Sequence, residues 1–391
     1  MSEHPKILIL SASVGNGHNQ AAAAVKESLT AEYLAEVELV DCLGEGNQYL
    51  SKIIKGAYYK TIQIFPEVYD YFYRYTDVSR YAAVPIKSLL YHTMEQNILD
   101  LVERFKPQAL VFTHPFPCAA AAGLKRLNKL SLPIIGVVTD FAVHRLWQYS
   151  EVDHYCVAST PLAVQMAVRG FLANKIHATG IPVHRAFVQK SSCSQIGEVL
   201  VMSGGLGMGP TSDVVSVLSS LRSINHITVV CGKNADLRDQ LSKTYAGPEI
   251  SVLGFTPDID KLMAEASLLV TKPGALTASE ALCSGLPLLL VDALGGQEEE
   301  NASYLEGAGV ALLARDMADV SRLADVFLSQ PALQQAMRTQ CRLESKPHSA
   351  SQVAELIVKI TQQAEVPLEQ LAGNPAELAG QDKVSKFSKL S

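Results

Sequence analysis

Short apolar runs rich in Val, Ile and Leu alternate along the chain with longer segments whose apolar residues recur every three or four positions. The short runs have the length of strands, and the longer segments have the period of helices. Because most runs are apolar throughout, both faces of each strand are expected to be buried, as in a parallel sheet covered by helices. Strands are predicted at 6–10, 37–40, 110–112, 134–138, 154–157, 175–178, 199–202, 227–230, 250–253, 268–270, 288–291 and 310–313, with helices notably at 20–32 and 93–105.

The alternation is interrupted by a polar stretch at 189–195. We therefore predict an α/β protein made of two doubly wound, Rossmann-like domains of parallel strands, at 1–190 and 191–347. A helix at 348–364, which can cross back to the first domain, and a polar tail at 365–391 are predicted to follow. Ligands of such sheets bind at the carboxyl ends of the strands, so two domains that face each other form a binding cleft.

Composition excludes several classes of protein. The 391 residues, 48% of them hydrophobic, suffice for two cores, and the net charge of −6 disfavours a nucleic-acid partner. Seven dispersed cysteines without a CxxC pair favour a reducing compartment over a disulfide framework or zinc site. The sequence has neither a signal-peptide pattern nor an apolar run of the ~18 residues that span a bilayer. We expect a cytoplasmic protein, free or peripherally attached to a membrane.

Two loops after predicted strands of the first domain carry candidates for acid–base chemistry. Gly15 and Gly17 allow a tight turn after the first strand, and His18 stands at the start of the next helix. A neutral imidazole there can accept a proton from a hydroxyl group. Asp140, after the strand at 134–138, can orient an acceptor or a catalytic histidine. For both side chains, capping of a helix is the alternative interpretation.

The loops of the second domain are typical of a site for a nucleotide. Four glycines between 204 and 209 present backbone amides to an anion, with a flexible turn as the alternative. The segment 271–281 turns from a strand into a helix that carries an acid, and the next loop adds amides and acids suited to sugar hydroxyls. Together these features predict a nucleotide-sugar pocket whose candidate residues are Gly17, Ser203, Gly204, Gly205, Gly254, Phe255, Lys272, Pro273, Gly274, Thr277, Glu280, Gln297 and Glu298.

The loop at 254–260 has two interpretations. Asp258 and Asp260 have the spacing of the metal-binding DxD motif of some sugar transferases. Pro257 and the residues that follow the pair favour the start of a helix instead. We therefore predict no metal site, and interpret backbone groups near Phe255 as contacts to the edge of a base.

A tyrosine-rich, basic segment lies at 46–92. It holds nine of the 14 tyrosines of the chain, interleaved with Phe65, Phe72, Lys52, Lys55, Lys60, Arg74, Arg80 and Lys87. Aromatic rings and basic groups suit a membrane interface with anionic lipids as partners. A core pair of tyrosine-rich helices is the alternative. Because the chain as a whole is acidic, this concentration of basic residues favours the membrane interpretation.

The ordered set of loops resembles a known family. It is similar to the diacylglycerol glycosyltransferases, which include the plant-type monogalactosyldiacylglycerol synthases and the bacterial processive diacylglycerol glucosyltransferases. A more distant resemblance is to the peptidoglycan N-acetylglucosaminyltransferase that acts on lipid I. The resemblance covers about residues 5–363 and is carried by 13–18, 139–141 with His144 and Trp147, 180–183, 203–205, 254–255, 272–274 with Thr277 and Glu280, and 296–301.

The resemblance implies the GT-B fold, a UDP-glucose or UDP-galactose donor, diacylglycerol as acceptor, inversion at the anomeric carbon and no required metal or other cofactor. It makes His18 the candidate base, Glu280 the ribose-binding acid, and Gln297 with Glu298 the contacts to sugar hydroxyls. The turn at 272–274 is expected where the diphosphate meets a helix N-terminus. The first domain is then the acceptor- and membrane-binding domain, and the second binds the UDP-sugar.

Other functions are compatible with the same pattern. One is a GT-B epimerase of UDP-sugars or a transferase with another lipid or soluble acceptor, and another is a non-catalytic sensor of nucleotide sugars. The segment 46–92 favours a lipid acceptor, and the intact His18 argues against a sensor. The sequence leaves open glucose or galactose, the number of sugars added, the acceptor chains, any activating lipid and the oligomeric state.

Overall fold

The computed structural model describes residues 4–13, 17–42, 84–188, 197–205, 207, 209–245, 247–293 and 296–364. It contains two parallel sheets of six strands each, covered by helices. We call residues 4–188 the first half and residues 197–344 the second half. The predicted doubly wound α/β architecture is confirmed, while the predicted domain limits stay a prediction.

The first sheet is built from β1 (Lys6–Ser11), β2 (Glu36–Asp41), β3 (Ala109–Phe112), β4 (Ile134–Val137), β5 (His154–Cys156) and β6 (Ile176–His177). Its strand order is β2-β1-β3-β4-β5-β6, and all neighbours are parallel. The chain passes from β1 to β2 on one side and later to β3 on the other side of β1. The strand order therefore reverses between β1 and β3.

Helices cover both faces of the first sheet: α1 (Gly17–Tyr33), α2 (Val84–Phe105), α3 (Pro115–Arg126) and α4 (Thr160–Val168). Ile7 and Ile9 of β1 are buried with residues of α1, whereas Leu8 and Leu10 are buried with residues of α2 and α3. Burial on both faces is the reason why the strand is an unbroken apolar run. Helix α2 begins at Val84 rather than at the predicted residue 93, with a proline second, within the first turn, where the helix does not need its N–H.

The second sheet contains β7 (Glu198–Met202), β8 (His226–Val230), β9 (Ile250–Leu253), β10 (Leu268–Thr271), β11 (Leu288–Leu290) and β12 (Ala311–Leu313). Its order is β12-β11-β10-β7-β8-β9, again with parallel neighbours. Here the strand order reverses between β7 and β10. Its helices are α5 (Thr211–Leu218), α6 (Ala235–Thr244), α7 (Ile259–Glu265), α8 (Ala275–Cys283), α9 (Gln297–Gly307), α10 (Met317–Ser329) and α11 (Pro331–Glu344).

A final helix, α12 (Ser349–Ala364), follows the second half but packs on the first. Its residues Val353, Ala354 and Ile357 share a buried cluster with Val25 and Leu29 of α1. The chain therefore returns to the first sheet after completing the second. Among the helices in the described ranges, none is both long enough and apolar enough to cross a membrane.

Candidate functional site

Several predicted site residues follow the strands that border the two reversals of strand order. In the first half, β1 leads to His18, and β3 leads to Thr113 and His114. In the second half, β7 leads to the glycine loop at 203–209, and β10 leads to Lys272. A reversal opens a crevice at the carboxyl ends of parallel strands. The candidate residues of both halves therefore lie at the ligand-binding edges of their sheets.

His18 is the second residue of α1, so it lies inside the helix and does not cap it. Its Nδ1 lies 2.9 Å from the carbonyl oxygen of Thr113 and 2.7 Å from Oγ1 of Thr139. Because a carbonyl oxygen only accepts hydrogen bonds, Nδ1 carries the proton of the neutral ring. Nε2 is then the unprotonated nitrogen, which is the one able to accept a proton.

Burial and neighbouring charges act in opposite directions on His18. Burial lowers the pKa of His18 below 6.5, while the charge of Asp140 and the hydrogen bond to Thr113 raise it. The ring of His114 meets it edge-on, with centroids 4.6 Å apart. Burial and the neighbouring His18 hold the pKa of His114 well below 6.5. Two neutral imidazoles therefore lie side by side near neutral pH.

His114 was not among the predicted site residues. It is the N-cap of α3, where its Nδ1 accepts a hydrogen bond of 3.2 Å from the N–H of Phe116. Its place directly after β3 was the available signal, because β1 and β3 border the first reversal of strand order. Thr113 and Thr139, which fix the ring of His18, carried no comparable signal.

Asp140 lies in the loop after β4, and the next α-helix begins only at Thr160, so it is not a cap of an α-helix. Nδ2 of Asn301 donates to its Oδ1 at 3.4 Å, and the side chain of Gln297 also forms a hydrogen bond with the carboxyl group. Burial raises the pKa of Asp140, whereas His18 and these two hydrogen bonds lower it. Donors from the second half thus favour the charged form of an acid in the first half.

Direct contacts join the two halves at the cleft. A Cβ atom added to Gly17 would lie 3.6 Å from Cβ of Leu276. The ring of Phe141 stacks on Tyr304, with centroids 4.9 Å apart and planes inclined by 11°. The N–H of Phe141 donates to Oδ1 of Asn301 at 2.9 Å. The first turn of α1 therefore meets α8, and the loop after β4 meets α9.

The glycine loop after β7 has a backbone that glycine adopts without strain. Gly204, Gly207 and Gly209 have φ values of 70°, 66° and 121°. A Cβ atom on Gly207 would lie 2.2 Å from the carbonyl oxygen of Cys231, so a side chain has no room there. A Cβ atom on Gly204, in contrast, would have no neighbour within 4 Å. The loop is therefore held by packing at Gly207, whereas a ligand can approach its backbone closely at Gly204. This combination favours the anion-site interpretation over a flexible turn.

Neighbouring loops support this glycine loop. Ser203 forms a hydrogen bond of 2.5 Å with the hydroxyl group of the first residue of α5. A Cβ atom on Gly232 would lie 2.8 Å from the carbonyl oxygen of Gly205, and one on Gly254 would lie 3.9 Å from that of Gly232. The loops after β7, β8 and β9 therefore pack in a row. Phe255 at the end of this row is 64% exposed.

Lys272 is paired with acids of its own half. Its Nζ lies 3.0 Å from Oδ2 of Asp292 and 3.8 Å from Oε2 of Glu298. A Cβ atom on Gly209 would lie 3.2 Å from Cε of Lys272, so the glycine loop packs directly on this pair. The positive charge of Lys272 is thus balanced within the protein. Among the described groups at this turn, the N–H groups at the start of α8 are then suited to attract an anion.

Helix α8 begins without a side-chain cap. Its N-cap is Gly274, with φ −70° and ψ 121°, and this glycine has no side chain that could accept hydrogen bonds from the first N–H groups. A Cβ atom on Gly274 would have no neighbour within 4 Å. The preceding residue, Pro273, is buried, and its carbonyl oxygen accepts a hydrogen bond of 3.3 Å from Nδ2 of Asn301. Asn301 therefore holds the residue before the helix, and the N–H groups of the first turn are suited to bind an anion.

Glu280 lies in the interior of α8, one turn after Thr277. Its carboxyl group is partly buried and has no hydrogen bond or ion pair with any residue that the structure describes. Burial raises the pKa of Glu280 to about 8. A buried carboxylate without partners costs free energy, so donors from a ligand stabilise it. A perturbed acid of this kind is typical of a functional site.

Gln297 and Glu298 begin α9, directly after Gly296, which has a φ of 68°. Gln297 contacts Asp140 of the first half, as described above, whereas Glu298 is directed towards Lys272. The two predicted sugar-contact residues therefore lie at the border between the halves. One is next to the acid–base pair and the other is next to the anion-binding turn.

The aspartates of the DxD motif lie at the start of a helix, as predicted. Helix α7 begins at Ile259, Asp258 precedes it, and Asp260 is in its first turn. Oδ1 of Asp258 pairs with Nζ of Lys261 at 2.6 Å. Across the described ranges, no group of three or more His, Cys, Asp or Glu side chains is placed to hold a metal ion.

The tyrosine-rich segment is largely outside the described residues. Of residues 46–92, the structure describes 84–92, which belong to α2. The membrane interpretation of the segment, and the roles of its basic residues, therefore stay a prediction. The same holds for the polar tail at 365–391.

Two family models match consecutive parts of the chain. The model for monogalactosyldiacylglycerol (MGDG) synthase matches residues 18–183, and the model for the glycosyltransferase family 28 C-terminal domain matches residues 199–360. A processive diacylglycerol beta-glucosyltransferase of Bacillus cereus (strain B4264) is 30% identical over 371 residues, which cover 92% of this chain and 94% of the relative.

Solved structures share the fold at low sequence identity. MurG of Acinetobacter baumannii superposes with a TM-score of 0.61 at 16% identity, over 91% of this chain and 99% of that one. A UDP-GlcNAc 2-epimerase of Neisseria meningitidis bound to UDP-GlcNAc gives a TM-score of 0.57 at 12% identity, over 90% and 100%. These likenesses establish the GT-B fold, which transferases and epimerases share. On the match over nearly its whole length, the chain belongs to the glycosyltransferase family of the monogalactosyldiacylglycerol synthases and processive diacylglycerol glucosyltransferases.

Proposed function

We propose that this protein transfers glucose or galactose from a UDP-sugar to diacylglycerol at the surface of a membrane, with inversion at the anomeric carbon. The observation that carries the proposal is the contact between Asp140, whose charge acts on His18 in the first half, and helix α9 of the second half. It brings a base with an unprotonated Nε2 next to the half that has the features of a donor site. A relative that matches over nearly the whole chain is named as a processive diacylglycerol beta-glucosyltransferase.

In the proposed reaction, Nε2 of His18 removes the proton of the acceptor hydroxyl as its oxygen attacks the anomeric carbon. A primary hydroxyl ionises poorly, so a positioned base assists this step. UDP leaves from the opposite face of the sugar, and the single displacement inverts the anomeric carbon. The charge of Asp140 stabilises the imidazolium that forms, since it favours the protonated ring.

The donor is proposed to bind to the second half. Glu280 accepts hydrogen bonds from the ribose hydroxyls, and Gln297 and Glu298 contact the hexose. The diphosphate lies between the glycine loop at 203–209 and the start of α8 at Gly274. Backbone N–H groups and the helix dipole then stabilise the charge that develops on UDP.

The acceptor is proposed to reach the cleft from a membrane. A water-insoluble lipid substrate requires the enzyme to act at an interface, and the basic, tyrosine-rich segment 46–92 suits anionic headgroups. We therefore propose a peripheral enzyme at the cytoplasmic surface of a membrane.

We test the function with purified protein, vesicles that contain diacylglycerol, and a panel of UDP-sugars. The expected result is hexosyl-diacylglycerol, detected by mass spectrometry, with UDP-glucose or UDP-galactose as donor. Product formation is expected to increase when the vesicles contain anionic lipid, and to weaken with salt, because the interface is basic. Vesicles without diacylglycerol are the control and should yield no glycolipid.

Other outcomes of this assay favour the competing functions. Conversion of the UDP-sugar into its epimer without glycolipid would identify an epimerase, a class whose fold the chain shares. Binding of a UDP-sugar without any turnover would indicate a sensor. Transfer to water-soluble acceptors alone would replace the lipid acceptor.

We propose further that transfer requires no metal ion, because backbone amides and a helix dipole neutralise the diphosphate. Addition of EDTA to the vesicle assay is therefore expected to leave the initial rate unchanged. Activity that is lost with the chelator and restored by Mg²⁺ or Mn²⁺ would overturn this proposal. Detection of UDP release in parallel separates an effect on catalysis from an effect of the ions on the vesicles.

A further inference from the structure

One face of α9 lies against the loop after β4. Gln297, Asn301 and Tyr304 are spaced at i, i+4 and i+7, so they share that face. The first two form hydrogen bonds with the carboxyl group of Asp140, and the third stacks on Phe141. Helix α9 belongs to the second half and Asp140 to the first. A helix of the donor half therefore supports the acid of the acceptor half.

Asn301 uses both ends of its amide group and is only 2% exposed. Its Oδ1 accepts from the N–H of Phe141 at 2.9 Å, and its Nδ2 donates to Oδ1 of Asp140 at 3.4 Å and to the carbonyl oxygen of Pro273 at 3.3 Å. The N–H of Phe141 only donates and the carbonyl of Pro273 only accepts, so the orientation of the amide is fixed. Asn301 therefore presents a donor to Asp140.

Building on the transfer reaction proposed above, we propose that Asn301 is a positioning residue that keeps the Asp140 carboxylate ionised and oriented to act on His18. The same amide holds the carbonyl of Pro273, which leads into the donor-binding helix α8. The base of the acceptor half and the anion-binding turn of the donor half thus share one support. Asn301 acts through Asp140 and not on the sugar or the acceptor.

Loss of this donor has a defined effect on the proton uptake of the His18–Asp140 pair. The hydrogen bond stabilises the carboxylate only, so its removal favours protonation of Asp140 and leaves the intrinsic basicity of His18 unaltered. The pair therefore takes up its first proton at a higher pH. Among the described residues, Gln297 also donates to Asp140, while His114, as a neutral ring, and the threonines 113 and 139 contact His18.

The test compares Asn301→Ala and Asn301→Ser with the parent chain in the vesicle assay, between about pH 5 and 9. The acid limb of the plot of kcat against pH is expected to shift to higher pH by about half to one pH unit, which is the usual contribution of one such hydrogen bond. On the plateau, kcat is expected to fall about 10- to 100-fold because the acid is less well oriented. UDP affinity by calorimetry is expected to fall as well, because the hydrogen bond to the carbonyl of Pro273 is lost, so the pH profile rather than the affinity tests the support of Asp140.

The serine variant guards against a folding defect, because its hydroxyl group keeps a polar atom at this buried position. Tyr304→Phe is the matched control: it keeps the ring that stacks on Phe141, loses only the hydroxyl bond to Ser159, and should retain the parent pH profile. A second readout, which requires no turnover, is the NMR titration of the His18 ring, identified with His18→Ala. Protonation of the ring should move to lower pH, because a protonated Asp140 no longer favours the imidazolium.

The proposal would be overturned if kcat fell equally at every pH and the His18 titration were unchanged. Asn301 would then have only a structural role. Failure of the parent chain to form any glycolipid would instead overturn the proposed function. In that case the NMR titration alone decides the role of Asn301, since it requires no substrate.

Discussion

Replacement of His18 by alanine is expected to lower kcat by about 10²–10⁴-fold, the usual contribution of a positioned base. The reason is the tautomer fixed by the Thr113 carbonyl, which leaves Nε2 unprotonated and able to accept the hydroxyl proton. UDP affinity should be nearly unchanged, because the donor contacts that we propose lie in the second half. Initial rates on diacylglycerol vesicles, together with UDP calorimetry, measure the two effects separately.

A second histidine provides the control for this substitution. His154 is the first residue of β5, so it lies at the amino ends of the strands, whereas the cleft lies at their carboxyl ends. Its Nδ1 lies 3.0 Å from Nε2 of His177. His154→Ala should retain the kcat of the parent. In the parent, the acid limb of the kcat profile should lie below 6.5, since burial lowers the pKa of His18. If His18→Ala retains most of its kcat, Asp140 becomes the first candidate for the base.

Removal of the Glu280 carboxylate is expected to weaken UDP binding by about 1–3 kcal/mol, the range for a charged hydrogen-bond partner in a buried site. Its carboxyl group has no partner among the described residues, and the ribose hydroxyls are the donors that we propose for it. Calorimetry with UDP compares the parent with Glu280→Ala and with the isosteric Glu280→Gln. Equal affinities in all three proteins would contradict the ribose role.

The pKa of about 8 also predicts how binding depends on pH. Without UDP, Glu280 is protonated at neutral pH, whereas ribose hydroxyls that donate to it favour the ionised form. UDP affinity of the parent should therefore rise with pH up to about 8 and then level, with release of a proton. Glu280→Gln should bind weakly at every pH. An affinity of the parent that falls as the pH rises would refute this coupling.

The unliganded protein should show the opposite effect on stability. The folded protein binds the Glu280 proton more tightly than the unfolded chain, in which the carboxyl group has its ordinary pKa of 4.5. Its contribution to stability is therefore fully present below about pH 4.5 and is lost as the pH rises through about 8. The Tm of Glu280→Gln should match the parent at the acidic end and exceed it increasingly up to that pH. A constant difference in Tm would argue against a buried, protonated carboxyl group.

The sequence alone was sufficient to locate the strands because both of their faces are buried. Every predicted strand ends within one residue of the end of an observed strand. The reason is that an apolar run ends where the chain leaves the covered sheet. The start of α2 was missed by the periodicity, and a proline at the second helical position was the signal for it. Burial within one element thus leaves a clear pattern in the sequence, whereas the start of a helix depends on a few local residues.

The site was only partly predictable for a different physical reason. His18 and Gly274 stand at turns between a strand and a helix, which local sequence indicates. The hydrogen bonds of Asn301 to Asp140 and Phe141 join residues about 160 positions apart and depend on how the two halves meet. The pairing of Lys272 with Asp292 is of the same kind, and it transfers the expected anion contact from the ammonium group to backbone N–H groups. Such contacts have no periodicity and become visible only when the halves are assembled.

The return of α12 to the first half has a consequence for synthesis on the ribosome. The face of the first sheet that carries Ile7 and Ile9 is covered in part by Val353 and Ile357 of this helix. At a translation rate of ~5–20 residues per second, the ribosome needs on the order of ten to forty seconds to pass from residue 188 to residue 364. During that interval the face lacks part of its cover while the whole second half emerges. The nascent chain therefore completes its first half last.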